Sequence, residues 1–554
     1  MKMSTTISNS DFKDYIQNRY YYVDKSLLIE ELFSKGDEAT LLPRPRRFGK
    51  TLNLSMLQYY FNIREDNRGL FIGLKIEKSK IFEEYANKYP VVSLTFKNVN
   101  GIDWEEDYMK LVTEIRREYR EHKYLLESDK LDYLDKEYFK QVYEGSDKID
   151  YSMSTFELSR LLYEHYGKKV IVLLDEYDTP VNKIIDDNHY KYIINFLKNL
   201  IGSTFKGNKY LFKGVITGIL RIAKESLFSG ANNIMVRTIL DNDFSDKFGF
   251  TEEEVIKISD YYDMGNKIDS IREWYNGYTF GNNTIYNPFS IINFTIKRVL
   301  ESYWVNSGNS SLIEKLMLNS EKSVIEKLEN LIKGNSIEEY IEESIVFSEL
   351  NDSKNLWSLL LFSGYLKSTE GDLGKYTLSI PNKELKKLYN KIMEKYFTEL
   401  APELLYIMDN IAKSILNDNI DNFRKELENL LLSNISSYDI SKSKEEVYHI
   451  ITLFSLLKLE YKNNYEVKSN IESGNGRYDI SIIPKAINKI GYIIELKVTK
   501  DEKDLKSKSE EAIKQIEKNK YYIELVKKGI KNIKLLGIAF KGKNVFITEK
   551  IFKN

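Results

Sequence analysis

The chain has no cysteine among its 554 residues, so disulfides and thiolate metal sites are both excluded. It has only four histidines, His122, His165, His189 and His449, far apart in sequence. That spacing argues against a zinc centre and leaves carboxylate-held Mg2+ as the open metal chemistry. No stretch comes near the roughly 18 consecutive apolar residues of a membrane span, so no membrane partner is expected. The opening Met1-Lys-Met-Ser-Thr-Thr6 lacks an apolar signal-peptide core, which makes a cytoplasmic location the expectation. An excess of one charge is missing too, with 82 Lys+Arg against 83 Asp+Glu. The balance is nevertheless uneven, because 24 Lys+Arg face 15 Asp+Glu from Ser441 onward. A basic end fits contact with a polyanion and fits equally well a set of lysine-rich solvated faces. With 42% hydrophobic residues the chain reads as globular, and it is too long for one core; three or so domains is the expectation.

What is present begins with Thr40-Leu-Leu-Pro-Arg-Pro-Arg-Arg-Phe-Gly-Lys-Thr51. An apolar strand-like run leads into a loop closing on Gly49-Lys50-Thr51, and Leu52-Asn-Leu-Ser-Met-Leu57 continues as a helix. Strand, loop, helix is the order in which backbone N–H groups and a helix N-terminus face a phosphate. Arg46, Arg47, Phe48 and Gly49 form the candidate cradle, Lys50 would reach the β- and γ-phosphates, and Thr51 would sit on Mg2+. The pattern usually opens with Gly, and Arg44 stands at that place.

A second run, Lys169-Val-Ile-Val-Leu-Leu-Asp-Glu176, reads as a strand buried on both faces, as in a parallel sheet. It ends in two carboxylates where such a sheet opens its ligand crevice. Asp175 would hold Mg2+ and Glu176 would polarise the water attacking the γ-phosphate. Leu211-Phe-Lys-Gly-Val-Ile-Thr-Gly218 is another buried strand, and its Thr217 occupies the place of a γ-phosphate sensor. Together these runs predict an ATP-binding, α/β P-loop NTPase. Asp24-Lys25, beside the aromatic Tyr20-Tyr-Tyr22, could orient the nucleotide base. The charged, tyrosine-rich segment from Trp104 to Tyr151 reads as solvated amphipathic helices, an insertion over about 100–165.

Tyr22-Val-Asp-Lys-Ser26, Pro43-Arg-Pro-Arg-Arg-Phe-Gly-Lys-Thr51 and Leu54-Ser-Met-Leu57 resemble the N-terminal AAA-ATPase-like domain of a large prokaryotic family. Arg at the position of Arg44 belongs to that family's pattern. The stretch Gly218-Ile-Leu-Arg221 to Asn233 is similar to it as well, and implies that Arg221 contacts phosphate in cis or serves as an arginine finger across a subunit interface. Association of copies through the ATPase region is the expectation that accompanies the second role. At the other end of the chain, the resemblance implies a PD-(D/E)xK nuclease-like domain.

From Phe248 the helical period dominates. Thr251 reads as a helix N-cap followed by an acidic first turn. Leu359–Leu366 followed by Tyr376–Glu384 predicts a helix and a hairpin, winged-helix-like, within a connector over 251–433. Asn434 to Ser443 is the most linker-like stretch, and the last domain would run 434–554, after a first domain over 1–250.

In that last part, Gly474-Asn-Gly476 is a hairpin signal. Arg477-Tyr-Asp-Ile-Ser-Ile-Ile483 alternates in period two, with Gly491-Tyr-Ile-Ile-Glu-Leu-Lys-Val498 as its partner. Residues two apart on a strand share a face, so Glu495 and Lys497 project together and Asp479 brings a second carboxylate to them. Two carboxylates suit Mg2+, which polarises a phosphate and acidifies a water, while Lys497 orients that water or offsets charge. The resemblance further implies a helix glutamate, Glu446 or its neighbour Glu445, as a metal ligand and Gln515 near the site. The expected function is ATP binding and hydrolysis coupled to Mg2+-dependent cleavage of DNA or RNA, in defence or processing. The alternative is an ATP-switched module that binds nucleic acid or protein through an inactive nuclease fold.

Overall fold

Five runs rich in Val, Ile and Leu form one parallel sheet: β1 (Ala39–Pro43), β2 (Val91–Thr95), β3 (Val170–Asp175), β4 (Leu211–Gly218) and β5 (Ile234–Val236). Their order is β2-β3-β4-β1-β5, with every pairing parallel. β1 and β3 are buried along their whole length, as uninterrupted apolar strands require. Because β4 lies between β3 and β1, the carboxyl ends of all three strands sit side by side. The phosphate loop, Asp175-Glu176 and Thr217 therefore meet at one rim of the sheet.

The computed structural model describes residues 2–181, 187–221, 233–307, 322–344, 353–371, 374–400, 404–432, 444–461, 465–469 and 472–553, together with Leu316. The expected linker at 434–443, with its domain boundary, and residues 222–232 of the family-like stretch lie outside the described residues. Between β2 and β3 the charged insertion forms helices Trp104–Glu121, Tyr133–Glu144 and Ser154–Tyr166. Asp103 and Asp132 cap the first two with their carboxylates. Leu111, Ile115, Phe139, Leu158 and Leu162 share the core of the sheet, so these helices cover it rather than standing off in solvent.

Contacts gather the chain into two compact units, Met1–Glu321 with Ile337–Lys386, and Lys322–Ser336 with Lys387–Asn554. The stretch 251–433, read as one connector, is thus shared between them. The first unit adds a small sheet of β6 (Phe250–Thr251), β7 (Tyr278–Phe280) and β8 (Asn283–Tyr286). Thr251 makes the expected cap, a full capping box with Glu254. A second small sheet holds β9 (Ile337–Tyr340), β10 (Lys367–Glu370) and β11 (Lys375–Ser379), following helix Ser353–Phe362. The helix-hairpin arrangement is there, but β11 stops at Ser379. Asn382 accepts from the Leu385 N–H and starts helix Lys383–Leu400 instead.

The second unit is built on a five-stranded sheet ordered β12 (Tyr465–Ser469), β15 (Ile480–Pro484), β16 (Gly491–Val498), β17 (Asn532–Lys541) and β18 (Asn544–Lys553). Only β16 and β17 run parallel. β13 (Glu472–Ser473) and β14 (Gly476–Arg477) form a separate hairpin turning at Gly474, whose φ is +63°. The strand expected over Arg477–Ile483 therefore breaks at Tyr478-Asp479.

Helix Leu505–Asn519 packs across β16, β17 and β18 and comes closest at Gly537, where an added Cβ would stand 2.1 Å from the Ser509 carbonyl oxygen. Backbone cannot give way as a side-chain tip does. Gly537→Ala is therefore expected to destabilise the second unit by about 1–3 kcal/mol, read as an earlier transition in thermal unfolding. Among the described residues no helix is long and apolar enough to cross a membrane.

Candidate active sites

The first site grows from the turn after β1. Gly49 takes φ +88° and caps helix Lys50–Phe61, a conformation glycine adopts without strain. Arg47 shares the left-handed region at φ +67°, whereas Arg44, where a glycine is usual, does not. Arg44 is instead a fully buried strut. Its guanidinium donates to the carbonyls of Pro43 (2.8 Å), Arg237 (2.7 Å) and Phe244 (3.3 Å), and lies 5.2 Å over the Phe248 ring. Burial pushes this group down to about 10. It ties the loop to the chain after β5, a task a glycine could not perform.

Phe48 turns its ring into the core against Tyr278 (5.0 Å) and Phe280 (5.2 Å), so only its backbone remains for a phosphate. Lys50 is 4% exposed, and its ammonium donates to the loop carbonyls of Arg44 (3.0 Å) and Pro45 (3.1 Å). Burial lowers its pKa, against the pull of Glu176, Asp175 and Asp178. The Thr51 hydroxyl donates to Asp175 at 2.8 Å and Thr217 to the other oxygen of the same carboxylate at 2.5 Å. Burial raises the pKa of Asp175, and the two hydroxyls pull it back. The pair Thr51–Asp175, the helix N-terminus and Lys50 fit a Mg2+-nucleotide, since the hydroxyl and carboxylate a cation would take are already in contact.

A cavity of about 360 Å³ opens beside them, bordered by Arg46, Arg47, Gly49, Lys50, Thr51 and Glu176. Its lining also takes in Thr6–Ser10, Phe289, Trp304 and Val305, none of them a site residue expected from the sequence. Glu176 holds φ +50° and accepts from the Thr179 hydroxyl at 3.0 Å. Two expected residues stand outside the cavity lining. Thr217 is fully buried with its hydroxyl on Asp175, and Arg221 lies 3.5 Å from Glu343. Asp24 and Lys25 do not border the cavity. Asp24 caps the N–H groups of Ser26 and Lys75, while Lys25 is buried against Glu254 at 2.6 Å. Asp178, unremarked in the sequence, is fully buried and accepts from the N–H groups of Ile219 and Leu220, both at 2.9 Å. It thereby holds the turn that leads to Arg221.

The second site lies where β15 and β16 meet. Ile480 pairs with Ile494, so a continued ladder would set Asp479 opposite Glu495. Like charges directly opposed are unfavourable. The chain leaves the ladder there, and the Asp479 carboxylate accepts the Leu496 N–H at 2.7 Å in place of a backbone bond. Glu495 is 3% exposed, and one of its oxygens, Oε1, takes the Lys497 ammonium at 3.2 Å. Its other oxygen, Oε2, is buried without a hydrogen-bond partner. Burial raises the pKa of Asp479, opposed by the Leu496 N–H and by the charges of Lys497 and Lys333. Burial also pushes Glu495 up to about 8, with the Asp479 charge adding to the shift.

Two adjoining carboxylates, Glu495 buried with one oxygen unpaired and Asp479 half-buried, fit a divalent cation that keeps several waters. Among the described residues no three His, Cys, Asp or Glu side chains converge, so the described donor set is these two. Glu446 falls on helix Lys444–Tyr461, but its side chain lies outside the described residues. Gln515 is half-buried and donates to the Tyr521 hydroxyl at 3.5 Å, not to the carboxylates. Lys333 reaches the site from a segment far away in sequence, and no spacing pattern could have marked it.

Residues 6–228 match the family model described as predicted AAA-ATPase, and residues 443–550 match that of the PD-(D/E)XK nuclease superfamily. An uncharacterized protein from the vnfD 5' region of Azotobacter chroococcum mcd 1 is 27% identical over 391 residues, covering 69% of this chain and 68% of its own length. The first part of the chain is therefore similar to AAA-ATPase-like domains, and its last part to domains of the PD-(D/E)XK nuclease superfamily.

Proposed function

We propose that the protein binds and hydrolyses ATP in its first unit and cleaves phosphodiester bonds of DNA or RNA with Mg2+ in its second, the nucleotide state governing cleavage. The observation that carries the nuclease half is the buried, unpartnered Oε2 of Glu495 beside Asp479 and Lys497. A carboxylate oxygen left without a donor is costly unless something else fills its place. The chemistry a Mg2+ ion supplies there is positive charge on the scissile phosphate and a more acidic water. Asp479 is pinned by the Leu496 N–H, so its carboxylate keeps a fixed place. Lys497 favours the ionised form of Glu495 and offers a hydrogen-bond donor to a phosphate oxygen or the attacking water.

In the first unit, Lys50 would leave its own loop carbonyls for the β- and γ-phosphates. Asp175, steadied by Thr51 and Thr217, would hold the cation, and Glu176 would orient the attacking water. Arg221 would complete the site within one copy or across copies associated through this unit. A cytoplasmic role in nucleic-acid defence or processing follows from the pairing of the two activities.

The test is cleavage of labelled DNA and RNA by the purified full chain, with Mg2+ titrated in and then removed by a chelator, at each nucleotide state. Cleavage is expected to appear with Mg2+, to stop with the chelator and to change with ATP. Binding without metal and without cleavage under any nucleotide would establish the ATP-switched binding module instead.

A further inference from the structure

Glu384 has no part in either set of catalytic groups, yet it is a carboxylate only 1% exposed. It stands in the first turn of helix Lys383–Leu400. Its oxygens accept from the Ser290 hydroxyl at 2.9 Å and from the backbone N–H groups of Trp304 (2.5 Å) and Val305 (3.3 Å). Burial pushes it up to about 7, and the hydrogen bonds donated to it restrain that rise. Tyr275, Tyr278 and Tyr303 are the titratable groups that face it from the elements around it, and its charge helps to raise the pKa of each. A carboxylate kept out of water is an expensive way to cap a loop, since a hydroxyl or amide could do so at less cost.

What it caps reaches the nucleotide cavity directly. The indole N–H of Trp304 donates to the Arg46 carbonyl at 3.0 Å, in the outer turn of the phosphate loop. The same carbonyl receives the Asn287 amide at 3.5 Å, and Asn287 caps helix Pro288–Lys297 by accepting from the Ser290 N–H. Beside this, the Arg47 guanidinium lies 4.9 Å over Phe289. Trp304, Val305 and Phe289 all border the cavity. One carboxylate thus ties together the two segments, 287–290 and 304–305, that meet Arg46-Arg47, the second of which holds a left-handed conformation.

We infer that Glu384 is a positioning residue of the nucleotide site, fixing Trp304 against the Arg46 carbonyl and so holding the phosphate loop in its binding shape. This rests on the reading of the cavity as an ATP site. The experiment is ATP binding by calorimetry on the full chain, with steady-state hydrolysis, for wild type, Glu384→Ala, Glu384→Gln and Trp304→Phe. Lys50→Ala serves as the non-binding control.

Glu384→Ala is expected to weaken ATP binding by roughly tenfold or more, because the Trp304 N–H loses its buried acceptor. Trp304→Phe, which removes the indole donor and leaves the fold's aromatic packing, is expected to weaken it by several-fold. In both, KM rises while kcat at saturating ATP is retained, a split that loss of folded protein would not produce. Glu384→Gln keeps an acceptor oxygen for the Trp304 N–H and is expected to recover most of the affinity. Wild-type affinity in both Glu384→Ala and Trp304→Phe overturns the inference. Should Glu384→Ala fail to fold, Trp304→Phe alone decides it, again by unchanged or weakened binding. Absence of ATP binding by the wild type is a different result and removes the nucleotide reading itself.

Discussion

Lys497→Ala is expected to lower the rate of phosphodiester cleavage about 10²–10³-fold at saturating Mg2+, the scale of removing one preorganised charge from a water-poor site. The ammonium lies 3.2 Å from Glu495, and the Glu495 side chain is buried. Its removal both strips the phosphate of a donor and raises the carboxylate's affinity for a proton further. Glu495→Gln is expected to be at least as damaging, because it deletes the charge of the metal seat. Unchanged cleavage by purified Lys497→Ala protein would remove the nuclease assignment.

The pH dependence follows from the same carboxylate. With its pKa pushed up to about 8, Glu495 takes up a proton more readily in the metal-free protein than a free carboxylate does. Mg2+ must displace that proton, so metal affinity and cleavage are expected to climb as pH rises from 6 towards 9. The linkage to stability has the opposite sign. The folded state binds the proton more tightly than the unfolded chain does, so this contribution is fully present below pH 4.5 and is lost as pH rises through 8. Metal-free protein should therefore melt earlier at pH 9 than at pH 7 on account of this group. Glu495→Gln should flatten that trend.

Lys50→Ala is the second large effect: ATP hydrolysis is expected to fall to background, and ATP binding with it, while nucleic-acid cleavage loses its response to nucleotide. The ammonium is 4% exposed and already satisfied by the carbonyls of Arg44 and Pro45. Those bonds lie within the loop, so Ala leaves two buried carbonyls short of a donor as well as removing the phosphate contact. The cost is expected in both nucleotide affinity and the rigidity of the loop. Phosphate release and calorimetric titration read the two separately. Hydrolysis persisting in Lys50→Ala would remove the P-loop assignment.

Both candidate constellations could be read before any coordinates because they are local in sequence. Gly49-Lys50-Thr51 and Glu495-Leu-Lys497 each derive their geometry from one helix start or one strand, where a few backbone dihedrals place every group. Asp175 and Asp479 were legible for a similar reason, each marking the end of an apolar run. The boundary of the Asp479 strand was misplaced because alternation continues through Tyr478-Asp479. The break arises from a charge across the sheet, which one strand does not reveal.

The sequence by itself determined which residue types stand at the two rims and that a parallel sheet carries the first of them. Tertiary structure alone decided what surrounds them: Arg44 as a strut, Phe48 turned into the core, Thr217 bonded to Asp175, Arg221 on Glu343, and Lys333 and Glu384 brought in from distant segments. The physical reason is range. Periodicity and turn chemistry act over a few neighbouring residues, whereas burial, desolvation and the pairing of polar groups depend on which remote segments the closed fold brings into contact.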